Sequence, residues 1–113
     1  MKTIRLRADA LDTTVELNDS ATAEKFFMAV PMEGRAARWG GSLRCALPLE
    51  CFPENPTADV EPGTAAYWPA ERAFCVFFST PPAEPVNVIG TVRCTAEELA
   101  DVPHAAVVRL TRS

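Results

Sequence analysis

The 113-residue sequence lacks the hydrophobic segments that direct proteins to membranes. Residues 1–7 carry a charge at every second or third position, so the sequence does not begin with the apolar run of a signal peptide. No stretch approaches the ~20 apolar residues that a membrane-spanning helix needs. These absences predict a cytoplasmic protein that has no membrane partner.

An excess of basic charge is also missing. The chain has 11 Lys and Arg against 15 Asp and Glu, a formal charge of −4, and its basic residues are scattered. Because nucleic-acid binding depends on neutralising many phosphates, we expect no nucleic-acid partner. Hydrophobic residues make up 48% and charged residues 23% of the chain, which is typical of globular proteins, and the length suits one core. We therefore expect residues 1–113 to form a single domain.

Residues that commonly build metal and nucleophile sites are few and unfavourably spaced. His104 is the one histidine, and no two cysteines have the Cys-x-x-Cys spacing of zinc sites. Gly40-Gly41 does not open a helix, so it does not form a phosphate-binding loop. The sequence predicts no metal and no cofactor. It also predicts free thiols, most of them buried, at Cys45, Cys51, Cys75 and Cys94.

Alternation of apolar and polar residues, typical of half-buried strands, is present in most of the chain. Apolar residues at the i, i+3, i+4, i+7 spacing predict a helix from about Ala21 to Ala29, which Pro31 ends. Thr95 begins a Thr-x-x-Glu capping box that predicts a second, short helix. The predicted strands are 4–8, 14–17, 43–47, 64–68, 73–78, 86–92 and 106–111, with further extended structure from residue 32.

The run Ala73–Phe78 contains three phenylalanines and no polar residue. Such a strand is predicted to be covered on both faces. Seven or eight short strands and two small helices in a chain of this length favour a mainly β fold, since closing the sheet removes its exposed edges. We expect a closed or nearly closed β-barrel of about eight strands with one or two short flanking helices.

Four segments carry a family resemblance. They are Arg38-Trp39-Gly40-Gly41, then PGTAAYWP at 62–69, RAFCVFF at 72–78 and PVNVIG at 85–90. In this order they resemble the small bacterial and archaeal cyclophilin-like proteins, and the similarity covers nearly the whole chain. The resemblance implies a cyclophilin-like β-barrel in a family without a well-established activity. Ser42 and Thr64 stand where acidic residues often occur in that family, so roles that need those carboxylates do not transfer.

Aromatic, guanidinium and amide side chains cluster in these segments. Arg38 and Arg72 each lie beside an aromatic stretch, where a guanidinium stacks on a ring or binds a carboxylate; the alternative is that they are surface charges. Tyr67 and Trp68 point to opposite sides of a strand, so one of them is a candidate cleft wall, although the aromatic rings also suit the core. We expect a barrel-side cleft for a small anionic or peptide-like ligand, lined by Arg38, Trp39, Tyr67, Arg72, Phe74 and Asn87.

Two other functions stay open. The resemblance suggests a peptidyl-prolyl isomerase, which needs an apolar slot for proline and a donor that weakens the resonance of its amide. The Phe-His-Arg signature of true cyclophilins is absent, so Arg38 or Arg72 would have to supply the donor. Cyclophilin-like domains also occur in larger amidohydrolase-type assemblies, which implies an interaction subunit and leaves oligomerisation open. The sequence favours a binding domain over an enzyme.

Overall fold

The computed structural model describes residues 2–113. In chain order, its strands are β1 (Thr3–Ala8), β2 (Leu11–Leu17), β3 (Met32–Trp39), β4 (Ser42–Ala46), β5 (Thr64–Trp68), β6 (Ala73–Phe77), β7 (Asn87–Val92) and β8 (Val107–Arg112). Helix α1 (Ala21–Ala29) follows β2, a 3-10 turn (Pro69–Glu71) joins β5 to β6, and helix α2 (Ala96–Ala100) follows β7. No helix in this range is long and apolar enough to cross a membrane.

The eight strands form a closed barrel in the order β1-β2-β7-β5-β6-β4-β3-β8, and β8 pairs with β1 to complete it. Every pair of neighbouring strands is antiparallel. This architecture confirms the predicted mainly β fold and the closed barrel. It also places β6 between β4 and β5, two strands that follow one another in the sequence.

All five residues of β6 are buried, which confirms that this strand is covered on both faces. Phe74 and Val76 belong to the core inside the barrel. Ala73, Cys75 and Phe77 belong to a second, smaller apolar cluster on the outside of the sheet. The outer cluster also contains Ala66 and Val86, with Val60 and Trp68 packed against it.

Helix α1 covers the end of the barrel where β5 ends and where β6 and β7 begin. Its predicted bounds are confirmed. The hydroxyl of Ser20 caps the helix by accepting a hydrogen bond at 3.1 Å from an N–H of the first turn. The ring of Phe26 packs against those of Tyr67 and Phe74, with centroids 5.8 and 5.9 Å apart. These contacts join the helix to the barrel core.

Helix α2 covers the opposite end. Its capping box is formed as predicted: the Thr95 hydroxyl accepts from the N–H of Glu98 at 3.1 Å, and the Glu98 carboxylate accepts from the N–H of Thr95 at 3.2 Å. Leu99 is buried in the core. The helices therefore close the two ends of the barrel, and its long outer wall is left to strands and loops.

Candidate functional site

The six residues predicted to line a cleft lie in separate places. Tyr67, Phe74 and Asn87 are the three that the structure brings together, since Tyr67 pairs with Phe74 on β6 and with Asn87 on β7. Partners that lie opposite each other in neighbouring strands project to the same side of a sheet. Here that side is the barrel interior, and each of the three side chains is at most 1% exposed.

The Tyr67 hydroxyl fastens the loop after β4 to the barrel. It donates a hydrogen bond to the carbonyl of Leu49 at 2.6 Å and accepts one from the N–H of Cys51 at 3.1 Å. Burial raises the pKa of Tyr67, which keeps the hydroxyl protonated as a donor. This buried phenol is satisfied by the protein's own backbone.

The Asn87 amide joins β7 to α1 and to the loop at 52–54. Its Oδ1 accepts from the N–H of Glu54 at 2.9 Å, and its Nδ2 donates to the carbonyl of Phe52 at 2.9 Å and to the hydroxyl of Thr22 at 3.1 Å. The Glu54 carboxylate in turn accepts from the N–H groups of Ala21 and Thr22 at the start of α1. The inner residues thus hold the structure together, and a ligand-binding role for them stays a prediction.

The two predicted arginines lie apart from this group. Arg38 reaches the end of α2, where its Nη1 donates to the carbonyls of Ala100 and Val102, a position that favours a cation. Arg72 follows the 3-10 turn in the left-handed region, with a φ of 50°, and forms an exposed ion pair at 2.9 Å with Glu50. Both guanidinium groups bind other parts of the protein, and ligand binding by them also stays a prediction.

Trp39, the sixth predicted residue, lies on the outer wall beside two residues that were not predicted to line a cleft. The guanidinium carbon of Arg44 is 5.2 Å from the ring centroid of Trp39 and 4.5 Å from that of Trp68. Trp39 is 64% exposed. These rings belong to both tryptophans of the chain. We refer to Trp39, Arg44 and Trp68 together as the Arg44 site.

Strand alternation explains how this site forms. The neighbours of Arg44 on β4 are buried in the core, so Arg44 points outward, and Trp68 points outward because Tyr67 points inward. Cys75 on β6 pairs with Arg44, and β6 lies between β4, which carries Arg44, and β5, which carries Trp68. The sequence alternation could have indicated that Arg44 faces outward. Its contact with Trp68 depends on the insertion of β6 between β4 and β5.

The Arg44 guanidinium forms no hydrogen bond or ion pair with residues 2–113. Its Nε is buried without a partner, whereas its terminal nitrogens reach the surface. Five of the other ten cations pair with carboxylates, in the pairs Lys2–Glu24, Arg5–Asp12, Arg72–Glu50, Arg93–Glu16 and Arg109–Glu33. Arg44 is therefore oriented by two rings while its charge is left unpaired.

The loop that follows β6 forms one border of the site. The carbonyl of Gly41 accepts from the N–H groups of Phe78, Ser79 and Thr80, at 2.9, 3.0 and 3.3 Å. A Cβ at Gly41 would lie 1.9 Å from Ser79 Oγ and 2.5 Å from the Thr80 nitrogen, so a side chain there would displace the loop. Glycine at position 41 allows the close approach that holds the loop beside Arg44.

Between this loop and Arg44 lies a small depression of about 10 Å³. It is lined by Arg44, Trp68, Phe77, Pro82, Ala83, Glu84 and Val86. That volume accommodates about one water molecule. A group of more than a few atoms does not fit inside this depression.

The thiols near the site are not arranged as nucleophiles. Cys75 lies behind Arg44 and is fully buried, and burial raises its pKa to about 12 although Arg44 acts in the opposite direction. Burial likewise raises the pKa of Cys45 to about 11. All four cysteines are free, and within residues 2–113 no three His, Cys, Asp or Glu side chains lie together as metal ligands would. The interactions that this site offers are charge, hydrogen bonding and stacking.

Comparison with known proteins places the chain. The cyclophilin-like family model matches residues 2–111. The chain belongs to the cyclophilin-like family. This cyclophilin-like chain is similar to the hypothetical protein AF2241 from Archaeoglobus fulgidus, known from a solution structure: the two share 29% identity over 99% of this chain and 95% of that one, with a TM-score of 0.85. The predicted family resemblance is thus confirmed.

A second solved structure shares the fold alone. It is that of McbB in complex with tryptophan, which is 13% identical to the cyclophilin-like chain and has a TM-score of 0.75. The match covers 97% of this chain and 44% of McbB, so the chain spans less than half the length of that protein. Among curated protein sequences, none was found to match.

Proposed function

We propose that this cyclophilin-like domain binds a small ligand that has a carboxylate and a flat apolar group, at the Arg44 site on the outer wall of the barrel. The observation that supports this most directly is the Arg44 guanidinium, which lies over two indole rings without an acceptor among residues 2–113. The Trp39 part of the predicted cleft is retained, and Arg44 and Trp68 replace the other predicted contacts.

The chemistry of the three side chains favours an anion. A guanidinium presents a planar fork of N–H donors that matches the two oxygens of a carboxylate. Contact with the rings restricts its orientation, and partial removal from water strengthens its attraction to a negative charge. The exposed ring of Trp39 offers a flat apolar surface for the rest of the ligand. A peptide carbonyl would fit the same donors but would leave the positive charge unneutralised.

The predicted alternatives have less support. A prolyl isomerase needs a slot for a proline ring beside its donor. The predicted donors, Arg38 and Arg72, are engaged with other parts of the protein. The depression beside Arg44 is about 10 Å³, too small for that ring. The interaction-subunit alternative gains nothing from the match to part of the longer McbB chain, which concerns the fold. The tryptophan in McbB carries no weight here, because a likeness at 13% identity concerns the fold alone.

Tryptophan fluorescence, titrated with 3-phenylpropionate, tests the proposal. Both tryptophans lie at the site, so a ligand there changes the emission of the protein while the probe itself does not emit with them. We expect a saturable change in the wild-type protein. Arg44→Lys keeps the charge but loses the planar fork, and we expect it to weaken binding about tenfold. Arg44→Gln removes the charge and should abolish the response over the same range.

Arg7→Lys is the matched control. Arg7 is exposed on the outer face of β1, which β8 and β3 separate from β4, and we expect this variant to bind like the wild type. The proposal is wrong if 3-phenylpropionate produces no saturable change at millimolar concentration. It is equally wrong if Arg44→Gln responds as the wild type does.

A further inference from the structure

A second charged side chain borders the depression beside Arg44. Glu84 is exposed and lines that depression together with Trp68 and Pro82. Within residues 2–113 its carboxylate forms no hydrogen bond or ion pair, and it does not pair with Arg44 although the two share the depression. Two opposite charges that border one depression without neutralising each other are arranged to receive a ligand that carries both charges.

The size of the depression restricts what can lie between them. Its volume of about 10 Å³ is that of about one water molecule. An ammonium group is of similar size and carries three N–H donors, which suit the carboxylate of Glu84. An acylated nitrogen is larger and uncharged. The space and the charge therefore favour a free amine over the nitrogen of a peptide bond.

We infer that the Arg44 site takes free α-amino acids with flat apolar side chains, and that Glu84 selects their ammonium group. The inference rests on the proposed function, in which Arg44 binds the carboxylate. An α-amino acid carries its carboxylate and its ammonium on one carbon, so it reaches Arg44 and Glu84 together while its side chain lies on the ring of Trp39. Glu84 then determines specificity, because a ligand without the amine gains nothing from it.

Three probes that differ only at the amine separate this inference from the proposed function. They are phenylalanine, 3-phenylpropionate and N-acetylphenylalanine, titrated against the tryptophan fluorescence of the full chain. We expect phenylalanine to bind about threefold to fivefold more tightly than 3-phenylpropionate, the gain typical of an exposed ion pair. N-acetylphenylalanine should bind more weakly than either, because its acyl group does not fit the depression.

Glu84→Gln should remove the preference for phenylalanine and leave the affinity for 3-phenylpropionate unchanged or slightly higher. Because Glu84 is exposed and its side chain has no hydrogen bond or ion pair within residues 2–113, the variant should unfold with the wild-type midpoint. Asp9→Asn makes the same change of charge in the turn between β1 and β2, with a φ of 56° that Asn tolerates. This control should leave the ratio of the two affinities as in the wild type.

The outcomes distinguish two failures. If 3-phenylpropionate binds through Arg44 but phenylalanine binds no more tightly, or if Glu84→Gln leaves the ratio unchanged, the inference about Glu84 is overturned and the proposed function stands. If none of the three probes binds, both are overturned. Tighter binding of N-acetylphenylalanine than of phenylalanine would also overturn the inference, since it would indicate a peptide-like ligand.

Discussion

Asn87 and Arg44 lie on opposite faces of the same barrel wall and illustrate two different situations for a polar group among apolar ones. The Asn87 residue is 1% exposed, and the oxygen and nitrogen of its amide make three hydrogen bonds, two to the loop at 52–54 and one to α1. The Arg44 guanidinium is in contact with two indole rings and has no hydrogen bond to residues 2–113. The contacts of Asn87 show that it stabilises the fold, whereas the contacts of Arg44 show no such role.

The difference matters because buried polar groups without partners are costly and therefore uncommon. An amide whose hydrogen bonds are all formed stabilises the segments that it joins, so its replacement should lower the free energy of unfolding. A guanidinium whose Nε is buried and unpaired contributes little to the stability of the fold. Its replacement should therefore lower the affinity for the ligand and leave the free energy of unfolding nearly unchanged. Experiments that separate stability from binding can test this contrast.

The largest effect is expected from Asn87→Ala. The change removes the partners of the Phe52 carbonyl and the Glu54 N–H and one of the two partners of the buried Thr22 hydroxyl, which still donates to Glu54. We expect it to lower the free energy of unfolding by about 3 kcal/mol. Urea unfolding followed by circular dichroism measures this loss. Thr91→Ala, at an exposed position of the same strand, should change the free energy of unfolding by less than about 0.5 kcal/mol. If both variants lost the same free energy of unfolding, the hydrogen bonds of Asn87 would have no special role in stability, and the contrast between Asn87 and Arg44 would be wrong.

A smaller effect is expected from Glu54→Gln, and it should depend on pH. Hydrogen bonds from the Thr22 hydroxyl and from the N–H groups of Ala21 and Thr22 lower the pKa of Glu54. A lowered pKa means that the carboxylate stabilises the folded protein above its unfolded pKa of about 4.3, and that this contribution is lost as the pH falls through the folded pKa.

Unfolding measured from neutral to acidic pH should therefore show the wild type losing its advantage over Glu54→Gln as the pH falls. Glu61→Gln, at an exposed side chain in the loop before β5, is the matched control and should follow the wild-type curve. A constant difference between wild type and Glu54→Gln at all pH values would show that the charge of Glu54 does not stabilise the start of α1.

The smallest effect on stability is expected from Arg44→Met. Methionine keeps an unbranched apolar stem against the two rings and removes the unpaired Nε, so the free energy of unfolding should stay within about 0.5 kcal/mol of the wild type. Binding of 3-phenylpropionate should nevertheless be lost. A destabilisation as large as that of Asn87→Ala would contradict the contrast, because Arg44 would then be required for folding.

Much of the fold was predicted from local patterns. The spacing of apolar residues and the position of Pro31 predicted the bounds of α1, and Thr95 predicted the cap of α2. The strands predicted at 43–47 and 106–111 are observed at 42–46 and 107–112. These features depend on neighbours within a few residues, where the alternation of side chains and the restricted backbone before proline act directly.

The candidate site was predicted less well. Of the six predicted residues, Trp39 lies at the Arg44 site, while Tyr67, Phe74 and Asn87 face the interior. We grouped the aromatic and guanidinium residues because they are close in the sequence, but the folded barrel places them on different faces and at different ends. Arg44 was passed over because nothing in its own segment indicates an aromatic partner on β5.

Along each strand, the sequence by itself determined which side chains face the core and which face outward, because successive side chains alternate in direction and the apolar ones are driven out of water. Only the tertiary structure decided which outward side chains of different strands contact each other. Hydrogen bonding in the closed barrel inserts β6 between β4 and β5 and brings Arg44 over Trp68. Strand order depends on the packing of the whole core, so no single segment of the sequence contains it.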